Sequence, residues 1–205
     1  MKDYNKIFYI LYFIIYINQT QMLYITPTVN IELKNYDLIL SIGNRCVKSI
    51  AFNYYKESYP FDYIYPFDYI QSTPELILIY LNNVNNVSDK YEKHIVKFEK
   101  TFQRLFQALE KKKKILFIFS NDIYNDNNDY DDLCKIRDFI INKYEYNYDN
   151  FTIMAIHTNK SYKNTDNIYN YSIIVDNKYI SNNNEETCLK YIDTVKSLMR
   201  EIFKL

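Results

Sequence analysis

Few residues in this 205-residue chain have the chemistry of a nucleophile or a base: three cysteines (Cys46, Cys134, Cys188) and two histidines (His94, His157). A thiol attacks carbon as the thiolate. It needs a base within hydrogen-bond reach and usually a third group to orient that base. Cys46 is the candidate nucleophile because of what precedes it. It stands three residues after Gly43, the one glycine in the chain, in Asp37-Leu-Ile-Leu-Ser-Ile-Gly-Asn-Arg-Cys46. Gly43 and Asn44 form a predicted turn, with Asn44 as N-cap of a following helix and Cys46 in its first turn. The positive end of the helix dipole there favours a thiolate. A buried structural cysteine is the alternative. Cys134 and Cys188 fall on the apolar stripes of predicted helices and have the pattern of core residues.

His157 is the candidate base. It closes an apolar run, Phe151 to Ile156, and precedes Thr158 and Asn159, so a rigid strand could present it to a cleft. His94 lies among Glu92, Lys93 and Lys97 at the start of an amphipathic pattern, on its solvent side. The resulting expectation is a thiol hydrolase acting on a peptide or amide. Cys46 attacks, His157 takes the proton, and Asn159, Asp176 or Asp62 orients the imidazole. The N–H groups of Asn44, Arg45 and Cys46 would form the oxyanion hole. Two other classes stay open. The glycine turn and helix N-terminus could bind an anionic or nucleotide-like ligand without catalysis, although one glycine is no dinucleotide fingerprint. The chain could also be a catalytically inactive relative acting in protein interaction.

The elements that must position these residues follow from periodicity. Leu38–Ile42 is a predicted strand, and Val47, Ile50, Ala51 and Tyr54 give the next segment, from Cys46 to Tyr55, a helical stripe. Pro74 and Glu75 after Ser72-Thr73 start a short helix. Ile95, Phe98, Phe102, Leu105, Phe106 and Leu109 mark an amphipathic helix over Tyr91–Lys113. Ile115–Phe119 is a buried strand, Asn121–Asp132 an acidic loop, and Leu133–Tyr144 a helix. Strands Phe151–Ile156 and Tyr171–Val175 follow, the second with Ile180 as its alternative end, and Glu185–Phe203 closes the chain as a helix. This order predicts an α/β fold, layered, with a mainly parallel central sheet flanked by helices; an α+β fold is the alternative. The expected division is an apolar N-terminal extension over 1–30 and a single α/β domain over 31–205. Gly43 to Cys46, Ser120 to Asp122 and His157 to Asn159 all fall at strand ends, where parallel sheets gather ligands.

Charge excludes some classes. Basic and acidic residues balance at 25 each, so no global field points to nucleic acid. The run Lys111–Lys114 sits where a helix ends and reads as a cap for its carbonyl end. The cysteines are odd in number and lack any Cys-x-x-Cys, which argues against a disulfide framework and a zinc site. The acidic loop lacks EF-hand spacing and its glycine. Neither a metal nor an organic cofactor is expected. The cysteine pattern suits a reducing, cytoplasmic setting. The alternative is secretion or membrane association through Ile7–Ile17, an apolar run too short for a stable membrane span. Translation could equally begin at Met22. One glycine, no tryptophan, 24 tyrosines and abundant Asn, Ile and Lys indicate AT-rich codon bias of the viral type. A glycine kept against that bias carries more information than any one Asn or Tyr.

Two motifs carry a resemblance. Ser41-Ile-Gly-Asn-Arg-Cys46 and Ser58-Tyr-Pro-Phe-Asp-Tyr-Ile64 resemble a family of papain-like cysteine peptidases. Its members show Ser-Leu-Gly-x-x-Cys after a strand, then Ser-x-Pro-Phe-Asp-Trp or Tyr. An Arg- and Phe-rich helix and a Lys-Lys-Ile-Leu-Phe strand follow in the family, as Phe98–Leu109 and Lys113–Phe119 do here. The resemblance covers roughly Asp37 to Thr158. It implies Cys46 as nucleophile, Gly43 as the residue shaping its loop, and a polar role for Asp62. The chain departs from the family in two ways. Tyr59–Ile64 is duplicated as Tyr65–Ile70, with Asp68 the copy of Asp62, and the segment Ser72–Tyr91 is short and has no histidine.

Overall fold

The computed structural model describes residues 23–24, 29–43, 73–82, 102–120, 129–175 and 185–204. Their core is a five-stranded sheet of order β1-β5-β4-β3-β2. The strands are β1 (Leu23–Tyr24), β2 (Leu38–Gly43), β3 (Ile115–Ser120), β4 (Phe151–Thr158) and β5 (Ile168–Ile174). β2 to β5 pair in parallel, and β1 adds two antiparallel residues to the edge of β5. The helices are α1 (Pro74–Asn82), α2 (residues 102–110), α3 (Asp129–Tyr144) and α4 (Glu185–Phe203). This is the layered α/β arrangement expected from the alternation of strands and helices.

Both sheet faces are covered, which is why β3 and β4 are apolar almost throughout and buried at every position. On one face Leu40, Ile42, Phe117, Phe119, Phe151, Ile153 and Ala155 pack against α1, α2 and α3. On the other, Ile39, Leu116, Ile118, Met154, Ile156 and Ile173 pack against α4 and the incoming residues Ile31 and Leu33. Leu23 and Tyr24, assigned by composition to the extension, pair with Ile174 and Ile173. Tyr171 donates its hydroxyl to the carbonyl of Val29, so the sheet also holds the segment before residue 31.

Several boundaries move, each for a physical reason. Gly43 is the last paired residue of β2, opposite Ser120, one residue beyond the predicted strand, and Asn44, the other residue of the expected turn, lies outside the described residues. α3 begins at Asp129 rather than Leu133, so part of the expected acidic loop is a helical first turn, where Asp131 and Asp132 suit the dipole. β5 begins at Ile168 rather than Tyr171, because Ile168 already pairs with Ile153 despite the polar Asn170 that follows. The inner stripe of α4 includes Thr187, Tyr191 and Leu198 beside Val195, Met199 and Ile202, while Ile192 is half-buried. The helix predicted over Cys46–Tyr55, the duplicated hexapeptide, His94, the apolar run Ile7–Ile17 and residues 176–180 lie outside the described residues. Among the described residues no helix is long and apolar enough to cross a membrane.

The scarcity of glycine shows at the helix ends. α2 stops where Lys113 N–H bonds the carbonyl of Ala108 and Lys112 N–H that of Leu109, with Lys112 left-handed at φ 52°. That is a Schellman cap built on lysine instead of glycine. α3 repeats it: Tyr146 N–H reaches the Ile141 carbonyl around Glu145, at φ 51°. Tyr146 then donates its hydroxyl to the Lys113 carbonyl at 2.8 Å, tying both endings together. A Cβ in this conformation costs roughly 1 kcal/mol. The exposed pair Lys112–Glu145, at 3.7 Å, returns little of that. Glu145→Gly is therefore expected to raise stability by about 0.5–1 kcal/mol, read as a higher urea midpoint. A lower midpoint would contradict this account of the cap.

Candidate functional site

The carboxyl ends of β2, β3 and β4 form one rim. Gly43 pairs with Ser120, Ser120 with Ile156, and His157 with Ser172 one step further on. Two strand spacings separate β2 from β4, so Gly43 and Ile156 lie about 10 Å apart along that row.

His157 belongs to the helix-rich face, because side chains alternate along β4 and it follows Phe151, Ile153 and Ala155 in parity. It is 2% exposed. Its ring lies 4.7 Å from that of Tyr162, edge-on at 62°, and 6.1 Å from that of Phe119. Its Nε2 is 2.9 Å from Asn170 Oδ1. The Asn170 amide cannot be turned the other way, because its Nδ2 donates to the Lys163 carbonyl at 2.8 Å. Oδ1 therefore accepts and Nε2 carries the proton. The lone pair of the neutral ring is left on Nδ1. Burial lowers the imidazole pKa to about 4; the Asn170 bond opposes this, and the charge of Lys160 adds to it. At neutral pH the ring is an uncharged base.

The residues singled out in the sequence are distributed unevenly. Gly43 closes β2 at the rim. Asn159, a candidate to orient the imidazole, has another task. Its Nδ2 donates to the Val175 carbonyl and its Oδ1 accepts from Val175 N–H, which pins the end of β4 to the end of β5. The group on the imidazole is Asn170. Composition hid it, because one more asparagine in an Asn-rich polar stretch carries no signal. Cys46, Asn44, Arg45, Asp62, Asp68 and Asp176 lie outside the described residues. Cys134 is a free thiol, half-buried on α3 against the core.

The opposite face of the rim carries hydroxyls. Thr158 Oγ1 lies 3.2 Å from Tyr191 Oη on α4, and Ser41, Ser120 and Thr187 are buried nearby along the strand ends and the start of α4. Among the described residues no group of three or more His, Cys, Asp or Glu side chains is placed to hold a metal. No family model matches the chain, and no curated protein or solved structure matches it either.

The His157 environment has a thermodynamic signature. The unfolded chain takes up a proton near pH 6.5 and the folded chain only near 4. The unfolded state therefore binds more protons between these values, and stability falls as pH is lowered across that window. Above about 6.5 the contribution is complete; below about 4 the loss has reached its limit, roughly 3 kcal/mol. Urea titrations across this range should show the fall, and His157→Gln should flatten it. An ordinary His157 titration near 6.5 by NMR in a folded Cys46→Ser chain, which holds no thiolate at that position, would refute the assignment.

Proposed function

We propose that the chain is a cysteine-dependent hydrolase of a peptide or amide bond, with Cys46 as nucleophile, His157 as base and Asn170 as the residue that positions the imidazole. The observation that carries this reading is the fixed tautomer of His157. Its Nε2–H is held by an asparagine inside β5, and Nδ1 is the atom able to take a thiol proton. A Cys-His-Asn set is one of the recurring forms of the nucleophile, base and orienter arrangement. The motifs Ser41–Cys46 and Ser58–Ile64, similar to those of papain-like cysteine peptidases, support the same nucleophile.

In this mechanism the Cys46 thiol passes its proton to His157 Nδ1. The thiolate forms a C–S bond to the carbonyl carbon, and the carbonyl electrons move onto oxygen. Collapse expels the amine, which takes the proton from the imidazolium, and an acyl-thioester remains. Water then attacks as His157 removes its proton, and the carboxylic acid leaves with the thiol restored. A thiolate beside the ring would raise the imidazole pKa from its buried value, since opposite charges favour the ionised pair.

The burial of His157 between Phe119 and Tyr162 favours a second reading, in which the ring is a hydrogen-bonded core residue. The chain would then be an inactive relative that binds a ligand or a protein. Alkylation separates the two. With iodoacetamide at pH 6 and peptide mapping, Cys46 should react at least about tenfold faster than Cys134 and Cys188, as a depressed thiol pKa requires. Asn170→Ala should bring Cys46 back towards the other two. Equal rates at all three cysteines would end the hydrolase reading.

A further inference from the structure

The connection between β4 and β5 does something the sheet alone does not require. β4 ends at Thr158 and β5 begins at Ile168, paired back at the level of Ile153. The intervening chain returns without a helix and passes over the His157 face, where Tyr162 meets the imidazole. Its two ends are anchored outside itself. Asn159, left-handed at φ 54°, exchanges both amide bonds with Val175. Asn167, left-handed at φ 68°, donates to the carbonyls of Tyr148 and Phe151.

Between these anchors the holding groups are of another kind. Residues 160–166 are Lys-Ser-Tyr-Lys-Asn-Thr-Asp, with Tyr162 their one large apolar side chain. Its ring stacks on Tyr130 of α3, with centroids 4.6 Å apart and planes 6° apart, and meets His157 edge-on. Other ties are polar: Ser172 Oγ to the Lys160 carbonyl, part-buried, Tyr130 Oη to Thr165 Oγ1, the reciprocal backbone bonds of Thr165 and Ile168, and, exposed to solvent, Asn170 Nδ2 to the Lys163 carbonyl and Asn170 N–H to Asn164 Oδ1. Segments with few buried apolar contacts and exposed hydrogen bonds open locally at far lower free energy than the ladders beneath them.

We infer that residues 160–166 are a strap over His157, latched by Tyr162 between the imidazole and Tyr130, which swings on Asn159 and Asn167 to admit a solute to the ring. The β4–β5 ladder stays paired throughout. Lifting the strap also releases the Asn170 amide from Lys163, so access to His157 and the hold on its tautomer change together. The strap is independent of whether Cys46 is a nucleophile.

The test is carbethoxylation of His157 by diethyl pyrocarbonate at pH 7 in the full chain, followed by peptide mapping. The folded wild type should react at least about tenfold more slowly than the urea-unfolded chain, as a closed strap with a local opening equilibrium requires. Tyr162→Ala should recover most of that difference, Tyr162→Phe should keep the slow rate, and Tyr148→Ala, at an exposed tyrosine, should change nothing. A wild type as reactive as the unfolded chain, or a Tyr162→Ala rate equal to wild type, overturns the strap. If Tyr162→Ala does not fold, hydrogen exchange on the wild type decides. The Thr165 and Asn170 amides should exchange before those of Ile153 to Ile156, and exchange of both groups only through global unfolding also overturns it. None of these readouts involves Cys46, so they fail or succeed apart from the alkylation experiment.

Discussion

Parallel pairing of β4 with β5 is the constraint from which the rim takes its form. Two parallel neighbours oblige the chain to travel back to the start of the sheet, a path usually filled by a helix. Here β5 begins opposite Ile153 while β4 runs on to Thr158, a return of about 17 Å at strand spacing. The chain makes it without a helix, ending in a turn where the backbone groups of Thr165 and Ile168 bond each other. Backbone groups on such a path cannot pair along a helix, so they need side-chain partners. Asn170 supplies one to the Lys163 carbonyl and Ser172 one to the Lys160 carbonyl, while the amides of Asn159, Asn164 and Asn167 tie the path to backbone groups of Val175, Asn170, Tyr148 and Phe151 around it. The position of Asn170 against His157 follows from the same closure.

That closure decides the state of the imidazole. A histidine at the end of a buried strand could have projected into solvent and titrated normally. Beneath the return path it is desolvated instead, with one nitrogen held as a donor. Its share of the core energy is available only while the ring is neutral, so its chemistry and the stability of the sheet end are linked. The same construction keeps Asn167 Oδ1 buried without a protein partner among the described residues, although the amide's Nδ2 is doubly engaged. Left-handed backbone at Asn159 and Asn167 is tolerated because asparagine adopts it more readily than most residues with a side chain.

Much of the layering was legible in the residues. Leu38–Ile42, Ile115–Phe119 and Phe151–Ile156 are short apolar runs interrupted only at Ser41 and Thr152, the pattern of strands buried on both faces. The start of α1 at Pro74 and the full span of α4 were equally plain. What failed were polar residues with structural tasks. Asn170 sits inside β5 yet looks like loop sequence, so β5 was placed too late. Asp131 and Asp132 look like a solvated loop and are a helix start. Asn159 looks free to orient a base, but its amide is closed on Val175. In an asparagine-rich chain these positions differ by partner, and partners across 7 to 16 positions leave no periodic trace.

The single glycine acquires a different meaning from this distribution. Lys112, Glu145, Asn159, Asn167 and Lys204 all hold left-handed backbone with a side chain in place. The chain therefore does not reserve glycine for that conformation, even where glycine would relieve roughly 1 kcal/mol. Gly43 instead occupies a paired position at the end of β2, in the row shared with Ser120 and Ile156. There the feature a glycine contributes is the missing side chain, which in a strand commonly marks close approach of another backbone or a ligand. Its neighbours on that face, Ser41 and Ser120, are small and hydroxyl-bearing, and both are buried. The end of β2 thus leaves its last ladder position without a side chain, and the sequence that follows it begins with Asn44, Arg45 and Cys46.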